Sequence, residues 1–251
     1  MIGLAILMGT CWLLLGHDQT DITPRITALF FSGAFLSFMA VAYIPAYIED
    51  QSMFFKERSN GLYGSTAFLI ANFLIGIPYI FIITIVFSVV AYWLVGFANT
   101  AEQFSRFVGF LFLDLLAAES LVVFVASVLP NFIVALAVVA FANGLWMCTN
   151  GFLVPETVLN VFWESWVTKI NYQNWVFRAL MVNEFEGGHF ICGNGHCMYP
   201  ADAIGDIPGE NVLSAYGYTS RGYAAWGGYM MAIIVAYRLM AFVALELRRK
   251  N

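Results

Sequence analysis

Residues Leu74–Phe97 read LIGIPYIFIITIVFSVVAYWLVGF, without one Asp, Glu, Lys or Arg. Crossing the ~30 Å hydrocarbon layer of a bilayer takes roughly 20 apolar residues as helix, and this run exceeds that. Working outward, similar runs occupy Ile26–Ala46, Phe104–Leu129, Phe132–Val154 and Gly222–Leu247, with a shorter one at Ile2–Leu15. Together they predict an all-α membrane protein with six transmembrane helices. Composition agrees: 61% of the 251 residues are hydrophobic and 11% charged, whereas a soluble domain carries about 25% charge to stay solvated. Most of this surface must therefore face something other than water.

Several function classes fall away at once. The net charge of -5 is modest and the eleven Lys and Arg are scattered, so nothing forms the basic stripe that nucleic acid requires. No G-x-x-x-x-G-K-[ST] loop occurs, and none of the three lysines precedes Ser or Thr, so this segment cannot cradle ATP. The first run could be a signal-peptide h-region, but it lacks a basic residue before it and an A-x-A-like cleavage site. Thr10 is a poor neighbour for a lipoprotein Cys11. The expectation is a chain that begins inside a span. No repeat or linker divides it, and residues 1–251 are read as one membrane domain.

Counting positive charge near span ends puts Lys56, Arg58 and the Arg248–Arg249–Lys250 cluster on the cytoplasmic side. Six spans place both segments on one face, and the long 155–221 segment then lies outside or in a lumen. There Cys192 and Cys197, separated by flexible glycines, could oxidise to a disulfide; two free thiols are the alternative. His196 beside them is too thin a pattern for a metal site. Cys11 and Cys148 fall within spans and are expected to be buried. The stretch Val161–Met181 is too polar to span but rich in aromatics, which predicts short re-entrant helices at the outer interface, broken near Asn171 and Asn174.

Within the spans, three features carry chemistry. Phe31, Phe35 and Phe38 recur at i, i+4 and i+7, placing three rings on one helical face. Asn143, Met147 and Asn150 repeat that spacing as a half-polar stripe. Asp114 and Glu119 are intramembrane acids, expensive and normally answered by a partner. At 100° per residue they sit about 140° apart around the helix, so they do not form one acid/base pair. A tie from Glu119 to a neighbouring span is the expectation, with Asp114 towards the outer half.

The segment Glu49-Asp50-Gln51-Ser52-Met53-Phe54-Phe55-Lys56-Glu57-Arg58-Ser59-Asn60-Gly61-Leu62-Tyr63 resembles the first intracellular loop of ABC transporters of the white/pleiotropic-drug-resistance (G) subfamily. An acidic residue, an aromatic, a basic-Glu-Arg triplet and Gly-x-Tyr follow one another there. Pro78, Asn150-Gly151-Phe152-Leu153-Val154, Leu180-Met181-Val182-Asn183-Glu184-Phe185 and Tyr237-Arg238 continue the likeness across the whole chain. The resemblance implies an ABC-2 type membrane domain in which the segment around Ser52–Gly61 is a coupling helix, with Lys56, Glu57 and Arg58 against an ATP-binding domain. It implies that Phe31, Phe35, Phe38, Asn143, Met147 and Asn150 line a central substrate cavity, with Phe152 and Leu153 as an apolar plug above. ATP and Mg would then sit on a nucleotide-binding domain outside these residues, in the same polypeptide. A second membrane domain would complete the pathway in the lipid bilayer of the plasma membrane or an organelle.

Two rival classes remain. A membrane enzyme would use His17, Asp18 and Asp21, or His189 and His196, but these lie in loops and form no H-E-x-x-H pair. A channel, or a secondary transporter driven by an ion gradient, would show matching broken spans in two halves; Pro78 and Pro130 have no such counterparts.

Overall fold

Where no water reaches the backbone, every peptide N–H must find a carbonyl within its own segment, so apolar runs of this kind can only be helices. The computed structural model describes residues 2–98, 100–155, 158–192, 197–202, 205–218 and 222–248. His196, Arg249 and Lys250, drawn on above, lie outside the described residues. The helices are α1 (Ile2–Cys11), α2 (Gln19–Met39), α3 (Ile44–Ser59), α4 (Ser65–Val95), α5 (Ala101–Val128), α6 (Phe132–Cys148), α7 (Thr168–Ile170), α8 (Tyr172–Phe185), α9 (Gly209–Ala215) and α10 (Tyr223–Leu247).

Four helical runs are long and apolar enough to cross a membrane: Gln19–Ser59, α4, α5 and α10. The expected count of six is not reached by length. α1 has 10 residues and α6 has 17, about 15 and 25 Å at 1.5 Å per residue. The predicted Phe132–Val154 run ends early because Thr149, Asn150 and Gly151 (φ 92) turn the chain out of the helix. A single 3-10 turn, Ala40–Tyr43, joins α2 to α3, so helix continues through the charged segment to Ser59.

α5 is the axis of the bundle. Its spanning window is 72% buried, against 17% for α4 and 22% for α10. Small residues allow the close approach that packing without water depends on: Ala117, Ala118, Ser120 and Ala126 are all buried, under α10, α2, α4 and α8. α1 lies along α4, where Gly9 touches Leu94; a Cβ there would come within 2.5 Å of the Leu94 Cβ. Gly96 (φ 77) ends α4 in the left-handed conformation that glycine adopts without cost.

The re-entrant reading is half corrected. A π-helical turn (Trp163–Val167) and α7 precede a break at Asn171, while Asn174 lies inside α8. α8 does not rest at an interface; it is buried along nearly its whole length against α5, α2 and α10. Beyond it, strands β1 (His189–Ile191) and β2 (Asp206–Pro208) pair antiparallel. The Ile191 N–H donates to His17 O at 2.8 Å, so this small sheet docks on the α1–α2 turn.

Candidate functional site

α2 is two-faced because its small polar residues fall opposite Phe31, Phe35 and Phe38. Ser32, Gly33 and Ser37 are buried. Gly33 lets Val176 of α8 close in, and Ser37 Oγ donates to Asp114 Oδ2 at 2.7 Å. On the other side Phe31 and Phe38 are each 38% exposed and Phe35 is half-buried. Phe31 leans on Trp12, just past α1, with ring centroids 5.4 Å apart.

The Asn143–Met147–Asn150 stripe does not join that face. Asn143 is fully buried and its Oδ1 accepts from the Tyr172 hydroxyl of α8 at 2.8 Å. Asn150 is buried too and accepts from the Phe152 N–H at 3.1 Å. Met147 is half-buried. Phe152 stacks on Phe30 at 4.3 Å, and Leu153 stands exposed. Asn143 of α6 thus ties α8 in place, and Asn150 caps the turn that follows α6.

Both acids of α5 are inside. Asp114 is fully buried beneath α2. Glu119 Oε2 accepts from Arg238 Nη2 at 2.8 Å, and Arg238 also donates to Ser120 Oγ at 3.1 Å. The acids answer different helices, α2 and α10. Cys11 and Cys148, expected to be buried, are both exposed in this single chain, as apolar groups can be where lipid or another subunit replaces water.

The three residues of the α3 tip differ in what they face. Arg58 turns inward, pairing with Glu246 of α10 at 2.8 Å and donating to Ser65 at the start of α4. Glu57 accepts from the Tyr63 hydroxyl, and that bond to a carboxylate pushes the Tyr63 phenol above its ordinary range. Lys56 is exposed, flanked by exposed Met53 and Leu62. At the opposite end Cys192 and Cys197 form a disulfide, Cα to Cα 5.4 Å, beside β1.

Sequence reasoning missed one deeply buried charge. Arg25, just outside the predicted Ile26–Ala46 run, lies inside α2 at 1% exposure. It pairs with Glu184 of α8 and donates to the carbonyls of Leu15, Gly16 and Gly96 at 3.0, 3.1 and 3.2 Å. Glu184 also accepts from the Ala98 N–H at 3.2 Å. One ion pair therefore ties the α1–α2 turn, the α4–α5 turn and α8. The partner of Glu119 was legible, since Arg238 is the only basic residue deep within a predicted span. Among the described residues no group of three His, Cys, Asp or Glu could hold a metal.

Residues 1–185 match the family described as ABC-2 type transporter. Over 246 residues the chain is 28% identical to ABC transporter G family member 1 of Petunia hybrida, covering 97% of this chain and 37% of that protein. It is 28% identical over 247 residues to ABC transporter G family member 11 of Arabidopsis thaliana, covering 96% and 34%. ABC transporter G family member 6 of Dictyostelium discoideum is 24% identical over 261 residues, covering 96% and 17%. The chain spans about a third of the length of the first curated relatives it matches.

Proposed function

We propose, from the premise that this chain belongs to the ABC-2 type transporter family, that it is the membrane-spanning half of an ATP-driven exporter of hydrophobic compounds. Family and helices make it a multi-pass membrane component of an ABC transporter. In our reading α1 and α6 supply two further crossings, for six in all, and residues 1–251 act as one membrane domain. Its partners are a nucleotide-binding domain that holds ATP and Mg, and a second membrane domain. Lipids, sterols and drug-like molecules are the cargo class.

The observation that supports this is the two-sidedness of α2. Its polar side is buried under α5 and α8, while Phe31, Phe35 and Phe38 are left partly uncovered. Rings facing a second copy across a cavity would bind flat apolar molecules by area rather than charge. Lys56 with Met53 and Leu62 would meet the nucleotide-binding domain.

The test is ATP-dependent efflux and substrate-stimulated ATPase of the full-length protein in vesicles. Phe38→Ala should cut efflux about tenfold or more, the scale of losing an aromatic anchor, with assembly intact because the ring is partly exposed. Efflux unchanged in the variant removes Phe38 from the cavity. Efflux driven by a proton gradient without ATP replaces the reading with a secondary transporter, and Asp114 and Glu119 become the first residues to substitute.

A further inference from the structure

Away from that phenylalanine face, a cavity of about 510 Å³ lies between the α2–α3 junction, α4 and α5. None of Phe31, Phe35, Phe38, Asn143, Met147 or Asn150 lines it. We propose that it binds a cationic amphiphile, with a protonated amine between Asp50 and Glu119 and an apolar chain lying along α4.

The walls are Met39, Ile75, Tyr79, Ile80, Ile83 and Leu115, and the polar groups gather at Tyr43, Asp50, Asn72 and Glu119. Ile75 and Tyr79 are 62% and 66% exposed, so the mouth opens sideways through α4, where lipid would lie. A body that enters from there must be apolar. The size suits one such molecule, since small-molecule sites run from about 300 to 1,000 Å³.

The head group follows from charge and from one glycine. Glu119 is 6% exposed, and Arg238 takes only its Oε2. Oε1 lies over Gly76, where a Cβ would come within 2.9 Å. Among the described residues no hydrogen bond engages Oε1, and Asp50 has no ion pair within 4 Å. Gly76 thus leaves the inner carboxylate open to the cavity. Tyr43 lies within electrostatic range of both Asp50 and Glu119, and its hydroxyl accepts from Asn72 Nδ2 at 2.7 Å, which keeps its own proton available. Asn72 Oδ1 in turn faces Arg238 Nη1 at 3.5 Å. Two carboxylates therefore line the cavity, and only one of them, Glu119, is paired with a guanidinium. A surplus negative charge between apolar walls is costly, and a ligand ammonium would offset it where a hydroxyl or carboxylate would not.

The site does not depend on the export reading, because binding is measured on the resting protein without nucleotide. The probe is a photoreactive sixteen-carbon primary amine added to the protein in lipid nanodiscs, with its alcohol and carboxylate analogues alongside. Crosslinks are mapped by mass spectrometry. The amine should label the 75–83 segment of α4 about tenfold over either analogue, the scale of one charge-assisted hydrogen bond. Asp50→Asn, an exposed change that leaves the fold alone, should reduce that preference severalfold. Ile75→Trp, which narrows the mouth from its exposed side, should abolish labelling. Equal labelling by the three probes, or labelling indifferent to both variants, overturns the proposal.

Discussion

A charged side chain within an apolar bundle persists only when something answers it, and here each deep charge has its own reply. Glu119 is met by Arg238, Asp114 by Ser37, and Arg25 by Glu184 and three carbonyls. Breaking a buried pair by removing one member strands the other, which typically costs about 3–5 kcal/mol, whereas removing both is far milder. Arg25→Ala should therefore unfold the end of the bundle where the α1–α2 and α4–α5 turns meet, with folded yield in detergent falling sharply. Glu119→Gln should lower thermal stability because Arg238 is left charged and unpaired. Glu119→Gln combined with Arg238→Gln should recover most of that loss. A double variant no better than the single one would mean that Arg238 stabilises by packing, for example over the Phe73 ring 4.7 Å away, rather than by charge. Glu119's tie to another span was readable in the chain, because an intramembrane acid demands a cation and Arg238 is the candidate at depth. Arg25 was not readable: three of its four partners are backbone carbonyls and the fourth lies 159 residues away, and it sits where hydropathy begins to rise.

At the scale of elements, hydropathy found α4, α5 and α10 but could not fix their ends or see which helix lay inside. α4 begins at Ser65 rather than Leu74, because Ser65, Thr66 and Asn72 lower the average without breaking the helix. α8 misled more deeply. Gln173 and Asn174 fall in the stretch read as interfacial, yet they and the following Asn183 and Glu184 are all buried. A polar residue counts as wet until its partner is known, and these partners are remote: Asn183 exchanges hydrogen bonds with Gln103 at 2.9 and 3.1 Å across 80 residues. Packing between α1 and α4 offers an internal comparison. Gly9→Val would force a Cβ into Leu94 and part the helices, costing about 1–3 kcal/mol as overpacking does. Gly3→Val on the same helix meets nothing within 4 Å. Thermal unfolding midpoints in one detergent should separate the two variants, with Gly9→Val clearly lower. Equal midpoints would mean that α1 contributes little to the fold.

For the whole molecule, the question is how a push at the α3 tip would reach the membrane interior. α2, the 3-10 turn and α3 form one continuous helical run from Gln19 to Ser59, so displacement at one end has no loop to absorb it. The tip is braced: Arg58 grips Glu246, Arg248 lies over Phe55 at 5.4 Å, and Arg248 also donates to Ser127 O at 3.2 Å. α3, α10 and α5 would then move together. The Arg58–Glu246 pair is partly exposed, at 15% and 35%, and such pairs are worth about 1 kcal/mol or less. Arg58→Glu should thus leave thermal stability nearly unchanged while lowering substrate-stimulated ATPase of the full-length transporter. Because Arg58 faces its own chain, adding Glu246→Arg should restore the brace and with it the stimulation. Lys56→Glu, on the outward side of the same tip, should also lower stimulation, and no change within α10 should rescue it. If the charge swap fails to restore stimulation, Arg58 touches the ATP-binding partner directly and the brace carries none of the push.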